Sequence, residues 1–135
     1  MLELVAQVLA YTGVGLVVLF AGFIVVDLLT PGHLGRLVIL GNPNAALLSA
    51  SALVSLGLIL WFAIFFTGAG WSGLDDAAVF GAVGVGAQAV GFLVLDLITP
   101  GKFAEECMQE RLHPATAVAS ALHVAVALVV CASLT

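Results

Sequence analysis

The sequence predicts an all-α protein, a four-span transmembrane helix bundle built from two parallel repeats of a two-helix hairpin. Three observations lead to this fold: an apolar composition, four long apolar runs and a motif that occurs twice. The chain has 135 residues, of which 63% are hydrophobic and only 8% are charged, and its mean hydropathy is +1.27. A soluble domain carries about a quarter charged residues. This chain therefore has too little polar surface to face water on all sides, and a lipid bilayer is its predicted partner.

Four apolar runs are long enough to cross a hydrocarbon core about 30 Å thick, which takes about 20 helical residues. None of them alternates with a period of two, so helices are predicted rather than the strands of a barrel. In chain order, the predicted spans are residues 4–29, 45–66, 77–98 and 115–133. The first run carries Glu3 and lacks a basic segment before it, so we expect it to remain as a span rather than to be removed as a signal peptide.

Proline marks the predicted start of four elements, the two short helices and the second and fourth spans. A capping side chain followed by proline is typical of the first residues of a helix. Thr30-Pro31 and Thr99-Pro100 therefore predict short helices after the first and third spans. Asn42-Pro43 predicts the start of the second span, and His113-Pro114 predicts the start of the fourth.

The motif D-L-x-T-P-G occurs at residues 27–32 and again at residues 96–101. The alignment of the two copies pairs Asp27 with Asp96, Gly22 with Gly91 and, after a two-residue insertion, Pro43 with Pro114. Within one membrane domain, 1–135, repeat 1 covers about 4–67 and repeat 2 about 76–134. An even number of spans per unit makes the copies parallel, related by a near-two-fold axis along the membrane normal.

Two hairpins that each carry D-L-x-T-P-G after an apolar span, and later a proline-led span, resemble the YjfL-like family of small bacterial inner-membrane proteins. The resemblance covers nearly the whole chain. It implies a four-span inner-membrane protein whose biochemical activity is not established and which is associated with envelope-stress systems of the phage-shock type. It implies no catalytic residue.

The few basic residues predict the orientation. Arg36, Lys102 and Arg111 all lie in the connections at 31–44 and 100–114. Cytoplasmic connections are enriched in such residues. We therefore expect these two connections in the cytoplasm of a bacterium and both termini outside the inner (plasma) membrane.

The repeated motif suggests two roles for Asp27 and Thr30 and for their counterparts Asp96 and Thr99. In the structural role, each carboxylate accepts hydrogen bonds from the following turn or from the start of a neighbouring helix, and so secures the exit of the chain from its span. In the other role, the two aspartates meet across the two-fold axis and form a site for a cation or proton. We favour the structural role, because an ionisable residue near a helix end can reach water.

Gln88 and His123 are polar residues at similar depth inside the third and fourth spans. Their repeat-1 counterparts are apolar, so the pair belongs to the second repeat alone. A hydrogen bond between the two helices is the favoured explanation. The alternative is a histidine that carries a proton or binds a ligand.

The third span is rich in small residues at helix-packing spacing. Gly81, Gly84, Gly86 and Gly91 are the glycines that we expect to permit close backbone approach. This span is therefore predicted to be the most tightly packed, in the bundle or at the surface between subunits of a homo-oligomer. The first span, rich in Val, Leu and Phe, is predicted to face lipid.

No nucleophile, base and orienting group recur at a spacing that builds an active site, so no enzyme activity, cofactor or metal is predicted. Three basic residues and a net charge of −5 argue against nucleic-acid binding. Two classes remain. The first is a channel or transporter-like protein for a small cation or proton. The alternative is a non-transporting scaffold in an envelope-stress system, which recruits a partner through its cytoplasmic connections, including an amphipathic helix predicted at 102–113.

Overall fold

The computed structural model describes residues 1–30, 32–67, 70–98 and 109–135. Within these ranges every regular element is a helix: α1 (Leu2–Leu29), α2 (Leu34–Ile39), α3 (Pro43–Thr67), α4 (Gly73–Ile98) and α5 (Pro114–Leu134). Thr99 and most of the amphipathic helix predicted at 102–113 lie outside the described residues. Residues 109–113, the described part of that segment, are not helical.

Four of the helices have the length and the apolar composition to cross a membrane. They are α1, α3, α4 and α5, with 28, 25, 26 and 21 residues. At the helical rise, even the shortest of them extends over about 31 Å, the thickness of a hydrocarbon core. The prediction of an all-α protein with four spans is confirmed.

The N-termini of α3 and α5 are capped as the sequence predicts. Asn42 Oδ1 accepts hydrogen bonds from the N–H groups of Asn44 at 2.9 Å and Ala45 at 3.1 Å. His113 Nδ1 accepts one from the N–H of Ala115 at 3.1 Å. In each helix the proline at the first position lacks an N–H, so the cap has one donor fewer to satisfy.

A short helix does follow the first span, as predicted, but Thr30 does not cap it. Thr30 is extended, with φ −106° and ψ 126°, and its hydroxyl donates to the carbonyl of Val26 at 2.7 Å. The residue before a proline is disfavoured in the helical conformation, so Thr30 ends α1. The next helix, α2, begins only at Leu34, after His33, whose φ is +61°.

Helix α3 lies at the centre of the bundle. Of the most apolar 18-residue stretch of each span, 44% is buried in α3, 28% in α5, 22% in α4 and 11% in α1. Helix α3 packs against the other three spans and α2, whereas α1 and α5 each pack against α3 and α4. Within the bundle, therefore, α3 and not α4 is the most buried span, and packing of α4 between subunits stays a prediction. The first span is the most exposed of the four.

The two ends of the bundle differ in their chemistry. We call the end that carries Asp27 and Asp96 the motif end, and the opposite end, which carries both chain termini, the terminal end. The core near the motif end is built from α2 and all four spans: Val26, Leu34, Ala45, Leu48, Ala52, Phe92 and Ala119. Toward the terminal end, a smaller apolar cluster consists of Ile59, Ala127 and Cys131.

The two parallel helix pairs pack in different registers. Contacts between α3 and α5 join Asn44 to Thr116 and Ser51 to His123, in each case 72 positions apart, close to the 71 positions that separate Pro43 from Pro114 in the repeat. In the pair α1 and α4, a methyl group on Gly81 would meet Val18, 63 positions earlier, although the repeat spacing there is 69. Superposition of the two hairpins stays a prediction.

Candidate functional site

Asp27 lies in the last turn of α1 and holds the start of α2. Its Oδ1 accepts a hydrogen bond from the N–H of Gly35 at 3.3 Å, and its Oδ2 lies 3.3 Å from Nδ1 of His33. The His33 side chain is 75% exposed and that of Asp27 is 21% exposed. Such an ion pair contributes little, so the bond to the backbone is the more important contact for fixing α2.

Asp96 occupies the equivalent position near the end of α4 and is half-buried. The stagger of α4 against α1 matters for the cation-site hypothesis. Because contacts between these helices join residues 63 positions apart and the aspartates are 69 apart, Asp96 lies about six residues, or about 9 Å, farther along the helix axis. The register of α4 against α1 therefore does not bring the carboxylates of Asp27 and Asp96 side by side.

Asn44 makes the densest set of polar contacts in the described part of the chain. It is fully buried in the first turn of α3. Its Nδ2 donates to the carbonyl oxygens of Gln109 at 2.6 Å and Arg111 at 2.7 Å. Its Oδ1 accepts from the N–H of His113 and from Oγ1 of Thr116, both at 2.8 Å.

This set of contacts, which we call the Asn44 anchor, uses both donors and both lone pairs of one primary amide. It binds the third connection and the start of α5 to the start of α3. The counterpart of Asn44 in the second repeat is Ala115, so the anchor has no symmetric copy. Asn44 was not among the predicted site residues. Its position directly after the capping Asn-Pro and before an apolar run could have indicated a buried polar contact.

A line of polar side chains continues from the anchor into the middle of the bundle. We call it the polar seam: it comprises Asn44, Ser51 and Ser55 on α3, Gln88 on α4, and Thr116, Ser120 and His123 on α5. The spacings of three, four and seven residues place each set on one helix face. From Asn44 to Ser55 the seam extends about 16 Å along α3.

Gln88 and His123 meet, but not through the imidazole. Gln88 is 1% exposed and His123 is fully buried, and Gln88 Nε2 donates to the carbonyl oxygen of His123 at 2.9 Å. The ring of His123 faces α3, where Ser51 Oγ lies 3.3 Å from Nδ1. The ring centroid of Phe92 lies 6.2 Å from that of the imidazole. Sequence reasoning did not find Ser51, which is one of several serines in α3.

Several buried polar atoms have no hydrogen-bond partner among the described residues. They are Oγ of Ser49, Ser55 and Ser120, Oε1 of Gln88 and Nε2 of His123. A buried polar atom without a partner costs about 1–3 kcal/mol. Four of the five belong to the polar seam, which therefore has unused hydrogen-bonding capacity around His123.

The predicted packing glycines of α4 differ in their surroundings. A methyl group on Gly81 would lie 2.9 Å from Val18, one on Gly84 would lie 3.0 Å from Ile59, and one on Gly91 would lie 3.2 Å from Val126. A methyl group on Gly86 would have no heavy atom within 4 Å. Gly81, Gly84 and Gly91 therefore permit close helix approach, and Gly86 lies outside these contacts.

The described residues contain no group of three or more His, Cys, Asp or Glu side chains placed to hold a metal ion. The chemistry that the seam offers is hydrogen bonding by hydroxyls and two amides, with one imidazole that can take up a proton. Ile59, Ala127 and Cys131 form an apolar cluster between this polar region and the terminal end of α3 and α5.

Comparison with known proteins gives the family of this chain. Residues 1–134 match the model of DUF350, a Domain of Unknown Function. A UPF0719 transmembrane protein of Mycobacterium bovis is 42% identical over 132 residues, which are 96% of this chain and 86% of that protein. Another, of Mycolicibacterium paratuberculosis, is 38% identical over 107 residues, 77% of this chain and 70% of that protein. No solved structure matches. The expected family of small membrane proteins is confirmed, and the chain belongs to the DUF350 family.

Proposed function

We propose that this protein is a transporter-like protein that passes protons across a bacterial inner membrane, with His123 as the group that carries the proton inside the bundle. One observation carries the proposal: His123 is fully buried in a membrane-spanning helix, and its Nε2 has no partner among the described residues. Ionisable residues inside a membrane are costly, and those that persist usually mark a pathway for protons, ions or substrates.

The neighbours of His123 suit a proton that is held only briefly. Ser51, Gln88 and Phe92 lie against it from α3 and α4, and none of the three carries a charge. A protonated imidazole would therefore have hydrogen-bonding oxygens and an aromatic face nearby, but no carboxylate to trap the proton. Protons would reach the seam from the motif end, since the apolar cluster at Ile59 closes the other side.

The aspartates fit a role at the helix exit better than a role in the pathway. Asp27 is already engaged by Gly35 and His33, and the register of α1 against α4 sets Asp96 farther along its helix. We therefore place the proton-handling group at His123 and regard Asp27, Thr30, Asp96 and Thr99 as residues that secure the ends of α1 and α4.

The orientation and the assembly of the protein belong to the same proposal. Arg36, Lys102 and Arg111, which lie in the connections at 31–44 and 100–114, support a cytoplasmic motif end. Both termini then lie outside. A homo-oligomer is proposed because one four-span subunit offers little interior room and α1 is the least buried of the four spans.

A scaffold is the second candidate, and one observation favours it. Helix α2 and the residue after it present Ile39 and Leu40, 87% and 70% exposed, at the motif end beside Arg36. Apolar side chains at a cytoplasmic surface are typical of a docking site for another protein. In this alternative, the protein recruits an envelope-stress partner through its cytoplasmic connections and moves no ion.

Proton flux into liposomes tests the proposal. The purified protein is reconstituted with a pH-sensitive dye inside, and a potassium gradient with valinomycin drives protons inward. Wild type should acidify the interior under this potential. With the potassium gradient reversed, it should make the interior alkaline. His123→Asn keeps an N–H near the position of Nδ1 but cannot take up a proton, so its flux should fall to that of empty liposomes.

His33→Asn is the matched control, because it makes the same change at an exposed histidine. It should conduct as wild type does. Size-exclusion profiles and thermal midpoints of both variants show whether they assemble. Wild-type protein that passes no proton, Na⁺ or K⁺ over several pH values would contradict the proposal and leave the scaffold as the better candidate.

A further inference from the structure

The hydrogen bonds around Ser51 determine which nitrogen of His123 carries hydrogen in the neutral ring. Ser51 Oγ donates to the carbonyl oxygen of Leu48 at 2.9 Å, which uses its only hydrogen. At the 3.3 Å contact with His123 Nδ1, Ser51 must therefore accept. It follows that Nδ1 carries the hydrogen, and that Nε2 of the neutral ring presents a lone pair.

Gln88 presents a second lone-pair atom to the same helix contact. Its Nε2 donates to the carbonyl oxygen of His123. This bond fixes the orientation of the side-chain amide, so Oε1 points away from that carbonyl. Oε1 accepts hydrogen bonds only. Both Oε1 of Gln88 and Nε2 of His123 are buried and lack a partner among the described residues, so these two hydrogen-bonded residues carry two acceptors that need two donors.

We propose that a bound water molecule bridges Gln88 and His123, donating one hydrogen to Oε1 and the other to Nε2. Water is the smallest molecule with two donors, and buried waters typically bind polar atoms that the protein leaves unsatisfied. The hydroxyls of Ser55 and Ser120 belong to the same polar seam and are also buried without a partner among the described residues.

A cation fits this position less well than water. Ser51, Gln88 and Phe92, which contact His123 from α3 and α4, are uncharged and would not compensate the charge of a cation inside the bilayer. A direct bond from His123 to Gln88 would need the hydrogen on Nε2, which the Ser51 contact opposes. The proposal concerns a resident water and stands whether or not protons cross the membrane.

Solid-state NMR of the full chain in lipid bilayers, with ¹⁵N-labelled histidine, tests the site. The chain has three histidines, and two of them are predicted to be opposite tautomers. At neutral pH, His123 should carry hydrogen on Nδ1, and its Nε2 should receive magnetisation from water. His113 is the internal control, since its Nδ1 accepts from Ala115 and its neutral ring must carry hydrogen on Nε2.

Signals are assigned by His33→Asn and His113→Asn, which leave the His123 ring as the remaining signal and do not depend on the folding of a His123 variant. Hydrogen on Nε2 of His123, or no transfer from water to that nitrogen, would overturn the proposal. A shift of the Nε2 signal on exchanging Na⁺, K⁺ or Zn²⁺ in the buffer would overturn it in favour of a cation. An unchanged shift with transfer from water supports the bound water.

Discussion

The two parallel helix pairs, α3 with α5 and α1 with α4, come from the same predicted repeat and yet pack in different ways. Between α3 and α5 the contacts are hydrogen bonds, and their register departs from the repeat by one position. Between α1 and α4 valine side chains lie against glycines, as Val18 does at Gly81, and the register departs by six positions. The hydrogen-bonded contacts therefore lie within one position of the predicted repeat spacing, and the valine–glycine contacts lie six positions from it.

The physical reason lies in what a shift would cost. In a bilayer, a displaced donor or acceptor finds no water, so a helix pair joined by directional hydrogen bonds resists sliding. A valine that leaves one glycine can pack beside another small residue, at the cost of dispersion contacts alone. The proposed function centres on His123, whose ring contacts Ser51 within the polar pair, and the proposed bound water joins that residue to Gln88 on α4.

Breaking the Asn44 anchor should have the largest effect. Asn44→Ala removes the four hydrogen bonds that Asn44 makes to two carbonyl oxygens, the N–H of His113 and the hydroxyl of Thr116. A loss of about 2–4 kcal/mol in the free energy of unfolding is expected. Unfolding by a denaturing detergent in bicelles measures it. The control is Ser133→Ala, which removes only an exposed hydroxyl bonded within its own helix. A loss below about 0.5 kcal/mol for Asn44→Ala would show that the anchor does not fix the pair.

Filling a glycine in the apolar pair should have an intermediate effect. In Gly81→Ala the new methyl would lie 2.9 and 3.0 Å from the two methyls of Val18 and 3.1 Å from Leu60, and such overpacking costs about 1–3 kcal/mol. The cost should lie at the low end, because α1 can slide along α4. Gly86→Ala, with nothing within 4 Å, is the matched control and should be neutral or stabilising by up to about 1 kcal/mol. Equal stability of the two variants in the same unfolding assay would contradict this account.

The sequence predicted the elements better than their contacts. Four apolar runs were sufficient for four spans, because span length is set by bilayer thickness, and Asn42 and His113 cap the helices they were expected to cap. Thr30 is as extended as His113, which also precedes a proline and does cap its helix. The Thr-Pro and His-Pro motifs therefore look alike locally, and the sequence did not show that α2 would begin only at Leu34.

Contacts between distant residues were the part that the sequence left open. Gln88 and His123 were expected at similar depth, and they meet, since depth follows from counting residues along a helix. Which side chain contacts the imidazole depends on the rotation of α3 about its own axis. Counting residues along α5 does not give that rotation, so Ser51 could not be predicted as the partner. The Asn44 anchor likewise joins residues 65–72 positions apart. Its recognition required knowing which helices are neighbours.

The smallest effect on stability is expected at the repeated aspartates that end α1 and α4. Asp27→Asn keeps an oxygen that can accept from Gly35 and loses only the charge that attracts exposed His33. The free energy of unfolding should therefore fall by less than about 0.5 kcal/mol. Asp27→Ala, which also removes the acceptor, should cost about 1 kcal/mol. The same bicelle unfolding assay measures both variants.

Proton flux through the double variant Asp27→Asn, Asp96→Asn then separates the apolar pair from the polar pair. If His123 carries the proton, this variant should assemble and conduct as wild type does, because both substitutions lie on α1 and α4, outside the polar seam. A double variant that assembles normally but has lost its flux would move the ion-handling site to the aspartates. In that case the stagger of α1 against α4 would have to close, because carboxylates about 9 Å apart along the axis cannot share one ion.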